Sequence, residues 1–135
     1  MSQLALGEQA QPSTLSPLNK IGLVAALLLG LVDCVGLVFP TPAGQVGPPL
    51  AITILGAVLG VITVLCAVIA LRRANKGAVR IAAGARIIAA ITSLPAFFAG
   101  VPTPLLLFVS GYVVLTVAAV ILMLTPTRRS VSVLD

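Results

Sequence analysis

One carboxylate interrupts a long apolar run: in "LVAALLLGLVDCVGLVFP", residues 23–40, Asp33 is the only charged group. In such surroundings an acid can cycle a proton, pair with a cation, or fix helices together by hydrogen bonds, and in each case it avoids lipid. Hydroxyls are the groups placed to answer it. Thr53, Thr92, Ser93, Ser110 and Tyr112 all fall within about two turns of the matching ends of the other apolar runs. With Asp33 they form a candidate intramembrane polar site drawn from four segments. Arg86 is the obvious charged partner, but at helical rise it lies about 10 Å nearer the opposite end. Its side chain leans toward its own helix N-terminus, so it is expected to snorkel to that end rather than pair. Left with hydroxyls alone, Asp33 is expected to be a neutral acid, either a proton-coupled site or a hydrogen-bonding strut. A strut would tolerate asparagine.

Other chemistries lack their residues. There is no histidine, the commonest general base and metal ligand. The remaining acids, Glu8 and Asp135, lie near the chain ends, so no second carboxylate is available for paired acid–base work. No Gly-rich phosphate loop or cysteine–histidine cluster appears. An enzyme is not expected, and neither is a cofactor or a metal. Cys34 and Cys66 both lie inside apolar runs, too far apart in depth for a disulfide, and read as small packing residues.

The elements that must position Asp33 follow from composition. Of 135 residues, 59% are hydrophobic and 8% charged, against about 25% charged in a soluble domain. Four runs are long enough to cross a bilayer, at about 17–39, 50–71, 78–99 and 105–124. The fold class expected is all-α: a polytopic membrane protein, a bundle of four transmembrane helices spanning 16–126. Ser16 can cap the first helix and Pro17 suits its first turn. A central aspartate opposes insertion by about 2.5 to 3.5 kcal/mol. The twelve Leu, Ile, Val and Phe residues between Ile21 and Phe39 offset this at about 0.3 to 0.6 kcal/mol each. Residues 1–15, polar and containing Gln and Pro, are expected to be a disordered cytoplasmic tail. Residues 127–135 form a second cytoplasmic tail.

Charge sets the threading. Lys20, Arg72, Arg73, Lys76, Arg80, Arg128 and Arg129 fall on one side, with Arg86 beyond them, while "PTPAGQVGPP" and "GVPTP" carry no charge. The positive-inside bias puts both termini in the cytoplasm of a plasma-membrane protein. These cations serve topology and lipid contact. Without interleaved aromatics, the net charge of +5 does not point to nucleic acid. Phe39, Phe97, Phe98, Phe108 and Tyr112 all lie toward the uncharged side. The two halves also share punctuation: Gly56 lies seven residues after Pro49, and Gly111 lies seven after Pro104. Such a parallel repeat would have its axis along the membrane normal.

In lipid, helices associate through small residues. Gly22, Ala26, Gly30 and Cys34 make one four-residue-spaced ridge, and Gly56 and Gly60 make a GxxxG. These ridges suit contacts within the bundle or with another protein.

The Ala/Val/Leu-rich spans, the "GPPLAITILGAVLGVITVL" second helix and the Arg-rich inner loop resemble uncharacterised small four-span membrane proteins of actinobacteria. That resemblance implies the fold and no activity. Small multidrug transporters also have four spans and an acid in the first, but carry a Glu there with aromatics around it. Here the first span has Asp33 and no aromatic before Phe39. Two functions remain. One is a non-enzymatic accessory or scaffold protein, packing against itself as a homo-oligomer or against a larger membrane complex through its small-residue faces. The other is a small proton-coupled transporter or channel acting as an oligomer around Asp33.

Overall fold

The computed structural model describes residues 14–39, 41–45 and 47–126. Four α-helices occur among the described residues: α1 (Pro17–Val38), α2 (Leu50–Arg73), α3 (Lys76–Ser93) and α4 (Thr103–Leu124), with a 3₁₀ turn over Leu94–Phe97 after α3. All four segments are long and apolar enough to span a membrane. Arg128 and Arg129, and nearly all of the expected N-terminal tail, lie outside the described residues.

The helix ends follow local chemistry. Ser16 and Asn19 form a capping box: the Asn19 amide N–H donates to Ser16 Oγ, and the Ser16 N–H donates back to Asn19 Oδ1. Pro17 occupies the first turn, where its missing donor costs nothing. Arg72 and Arg73 sit in the last turn of α2, where cations meet the negative end of the helix dipole. Ala74 then turns in the left-handed region at φ 50°, and Asn75 caps α3 by accepting from the Gly77 and Ala78 amides. The third span was expected to stay helical to residue 99. Regular helix instead ends at Ser93 and tightens into the 3₁₀ turn, because Pro95 has no N–H to donate and its ring crowds the carbonyl one turn back.

Each helix packs on its neighbours in the ring α1–α2–α3–α4–α1, and α1 also touches α3 across the diagonal. Packing is confined to one end. No residue of α1 after Gly30, of α2 before Ala57, of α3 after Ala89 or of α4 before Thr116 is buried. The core therefore fills the end that carries the basic residues. It consists mainly of Leu23, Ala26, Ala67, Ala70, Ala78, Ala82 and Met123. Alanine at these positions brings backbones together. Toward the proline-rich end the helices separate, and Leu, Ile, Val and Phe cover the outer surface. Contiguous apolar surface on this scale suits lipid rather than water.

The small-residue ridges are used inside the chain. A Cβ on Gly22 would lie 2.6 Å from the Met123 amide nitrogen, so this glycine seats α1 on α4. One turn pair further on, α1 and α2 cross glycine on glycine. A Cβ on Gly30 would come 2.9 Å from the Gly60 carbonyl oxygen, and one on Gly60 would come 2.6 Å from the Gly30 oxygen. Gly56, the other half of the GxxxG, has nothing within 4 Å of its would-be Cβ. The motif thus divides into one contact and one open position.

A second tie was not visible as a pattern. Asn19 is buried, and its Nδ2 donates to the carbonyls of Leu122, Met123 and Thr125 at 3.0, 2.8 and 3.0 Å. The last carbonyls of a helix have no partner of their own. Asn19 supplies one for α4 while its Oδ1 completes the cap of α1. The basic end is thereby closed by a single amide.

Substituting alanine for Gly60 pushes a methyl group into backbone, and overpacking of this kind costs about 1 to 3 kcal/mol. The same change at Gly56 meets open space. Melting in mild detergent should therefore drop clearly for Gly60→Ala and barely for Gly56→Ala. Equal melting of the two variants would mean that α1 and α2 do not cross at these glycines.

Candidate functional site

At the level where the helices part, Asp33 is held by two side chains, one from each of two other helices. Arg86 Nη1 donates to Asp33 Oδ2 at 2.5 Å. The Tyr112 hydroxyl donates to Asp33 Oδ1 at 2.6 Å. Arg86 Nη2 closes the triangle by donating to the Tyr112 hydroxyl and, at 3.3 Å, to Thr116 Oγ1. The guanidinium carbon also lies 5.2 Å from the centre of the Tyr112 ring, a distance at which a cation is attracted to the ring's quadrupole. One cluster thus joins α1, α3 and α4. The second helix contributes by its absence of bulk, since a Cβ on Gly60 would lie 2.9 Å from Asp33 Cβ.

The expectation that Arg86 snorkels away is corrected here: it is fully buried and paired. Two facts defeat the depth argument. The Cα–Cβ bond of Asp33 tilts toward the N-terminus of α1, and hence toward Arg86. The three-methylene stem of arginine is flexible enough to reach along the bundle. Energetics favour the same outcome, because a carboxylate left without a cation in apolar surroundings is costlier than a hydrogen-bonded pair. The expectation of a cation-free Asp33 falls with it. So does the tolerance of asparagine, which would leave the guanidinium uncompensated.

Above the cluster, toward the proline-rich end, lies a vestibule of about 730 Å³, within the usual range of ligand sites. All four helices line it. Its walls include Val32, Leu37, Ile52, Phe108 and Val109, and Asp33 and Tyr112 are at its floor. Arg86 does not line it, and its Nε is buried without a hydrogen-bond partner among the described residues. Asp33 keeps 11% of its side chain exposed. Below the floor the path is shut by Leu23, Ala26, Ala67 and Ala82, each with no exposure.

The other polar residues expected at this level divide in two. Thr53, Thr92 and Ser93 do line the vestibule with Asp33. None of them bonds to it. Each hydroxyl donates to a carbonyl of its own helix: Thr92 to Ala89 at 2.9 Å, Ser93 to Ala90 at 2.6 Å, and Thr53 to Pro49 at 3.5 Å. Ser110 donates to the Leu106 carbonyl and is outside the vestibule lining. Tyr112 alone reaches Asp33. Cys34 and Cys66 are free thiols, and no group of three or more His, Cys, Asp or Glu residues suited to a metal occurs among the described residues. Thr116 and Arg86 are the members that depth reasoning left out.

The two charges are not equivalent. An aspartate stripped of its partner can neutralise itself by taking a proton, whereas arginine stays charged under all ordinary conditions. Removing Asp33 therefore strands a charge, and breaking a buried pair in this way costs about 3 to 5 kcal/mol. Asp33→Asn should lower the melting temperature in mild detergent more than Arg86→Met does. The double variant Asp33→Asn/Arg86→Met should recover most of the loss. Strictly additive losses would show that the pair is not a coupled unit.

The chain matches no protein-family model, no curated protein and no solved structure.

Proposed function

We propose that this chain is a small, non-enzymatic integral membrane carrier that admits a largely apolar ligand into its vestibule from outside the cytoplasm. The observation that carries this reading is the one-sided vestibule with a charged cluster at its closed end. A continuous channel is disfavoured by the alanine-packed half beneath. Asp33 is the intramembrane acid of the vestibule floor, and its pairing with Arg86 ties α1 to α3. An intramembrane acid poised in this way is a common element of proton-linked transport.

Both termini are placed in the cytoplasm of the plasma membrane in this reading. The support is the clustering of Lys20, Arg72, Arg73, Lys76 and Arg80 at the closed end, with the uncharged proline-rich loops at the open end. The resulting orientation faces the vestibule outward.

The accessory-protein reading keeps one observation in its favour. Helix α4 is the least buried of the four. Leu107, Gly111, Val114, Ala118 and Ile121, at alternating spacings of four and three, are all exposed along it. That seam would accept a second membrane helix with Gly111 and Ala118 at the close approaches.

Single cysteines at Gln45 and Val101 should react with an impermeant thiol reagent added to whole cells, and one at Asn75 should not, all in a Cys34→Ala/Cys66→Ala background. Reversed labelling would turn the vestibule toward the cytoplasm. Ligand entry is tested separately by Gly56→Phe, which places a ring in open vestibule space. It should weaken binding of an apolar probe at least tenfold while leaving the melting temperature nearly unchanged. Undiminished binding would place the ligand elsewhere.

A further inference from the structure

The vestibule floor has a hydrogen-bonding character that narrows the ligand beyond "apolar". Tyr112 beside Asp33, and Thr92 and Ser93 on α3, have their donors committed, whereas Thr41, which also lines the space, lies in the loop beyond α1. Tyr112 gives its only hydrogen to Asp33 and receives one from Arg86. Thr92 and Ser93 give theirs to the Ala89 and Ala90 carbonyls. The side-chain nitrogens that meet Asp33 belong to Arg86, which is fully buried and does not line the space. Acceptor capacity, in contrast, is left over. An ionised carboxylate has about four lone-pair sites, and the hydrogen bonds to Asp33 use one on each oxygen. The hydroxyl oxygens of Thr92 and Ser93 also retain lone pairs. A head group that brings only acceptors to these residues would have to pull a hydroxyl off its carbonyl and lose that hydrogen bond.

Charge narrows it again. Asp33 is the only ionisable acid of the lining, and Arg86 lies against it at 2.5 Å. The floor is therefore electrically balanced, with no uncompensated charge to attract a cation or an anion into an apolar space. Desolvating an ionic head there would not be compensated. Resting on the carrier reading, we infer that the vestibule selects uncharged amphiphiles whose head donates hydrogen bonds, such as an alcohol or vicinal diol on a hydrocarbon body. The donor group binds the free lone pairs of Asp33, and the body fills the space bounded by Val32, Leu37, Ile52 and Phe108.

The molecule carries its own reporter, because Tyr112 is its one tyrosine and there is no tryptophan. Tyr112 emission of the full chain in phosphatidylcholine nanodiscs can be titrated with decane-1,2-diol, with 1,2-dimethoxydecane, which has the same chain and no donor, and with decyltrimethylammonium. The diol should bind at least tenfold more tightly than either of the others. Thr92→Val/Ser93→Ala, which removes two acceptors and leaves the ion pair intact, should reduce that preference severalfold. If the dimethyl ether binds as well as the diol, the vestibule takes apolar ligands and the donor rule is wrong. If the ammonium binds best, Asp33 acts as a free anion and the rule is also wrong. If none of the three perturbs Tyr112, and Gly56→Phe changes nothing, the carrier reading itself fails. Adding dioleoylglycerol to the nanodiscs separates two sources of the same chemistry. Displacement of the diol assigns the site to a lipid hydroxyl, and undisturbed diol binding assigns it to a free amphiphile; either result upholds the donor rule.

Discussion

The contact between Asp33 and Arg86 is the constraint to which the rest of the bundle conforms. Neither charge is tolerable alone in apolar surroundings, and each sits on a different helix. Their meeting fixes the rotation of α1 and α3 and the offset between them along the bundle axis. Tyr112 and Thr116 bring α4 into the same junction. The second helix is then admitted to this level only by lacking side chains, glycine against glycine. A buried pair contributes little net stability, because desolvating both charges offsets most of their attraction. Its effect is on uniqueness: any rotation or slip of α1 against α3 that parts the pair strands the guanidinium, and alternatives are disfavoured by that cost.

From this junction the two ends of the bundle diverge for reasons of residue size. On the basic side, Ala26, Ala67, Ala70, Ala78 and Ala82 let the helices close to backbone contact. Asn19 locks the approach by capping one helix and serving the last carbonyls of another. On the other side the connections are proline-rich, and Pro95 ends regular helix a turn early. Larger side chains and early termination together hold the helices apart. The vestibule is thus a consequence of unequal packing on either side of a charged joint, and requires no dedicated loop or lid to form it.

Much of this was legible in the sequence, and the part that was not has a physical reason. Helix positions followed from apolar length, and the Ser16 cap and Pro17 from local rules that depend on a few neighbouring residues. Asp33 and Tyr112 were recognisable because polar groups are rare in these runs. The role of Arg86 was missed because depth along a straight axis ignores which way each Cβ leans and how far a long stem reaches. Asn19 carried no signal at all: a single amide near a helix start reads as an ordinary capping residue, and its carbonyl partners lie about a hundred positions away. The GxxxG showed the limit of motif reading. Gly60 is a contact and Gly56 a wall of the vestibule, because residues four apart on a helix need not meet the same neighbour where two helices are separating. Gly111, its counterpart by spacing in the second half, faces outward on α4.

In the proposed carrier, the same geometry would limit how a ligand could move on. Below the floor there is no exposed side chain among the alanines that shut the path, so passage requires the basic half to open as the upper half already has. The joint at Asp33 must then be broken or rotated as a unit, since α1 and α3 cannot separate while it holds. Breaking it unaided strands the guanidinium. Rotating it intact keeps every hydrogen bond but obliges Gly30 and Gly60 to slide over one another, which two glycines permit and two larger residues would not. A ligand can drive such a change only by the difference in its affinity for the two arrangements. A head group bonded to Asp33 supplies that difference directly, because the acceptor it occupies belongs to the joint that has to move. In the proposed carrier, binding site and hinge would be the same few atoms, so a chain of this size could couple them without a separate gate.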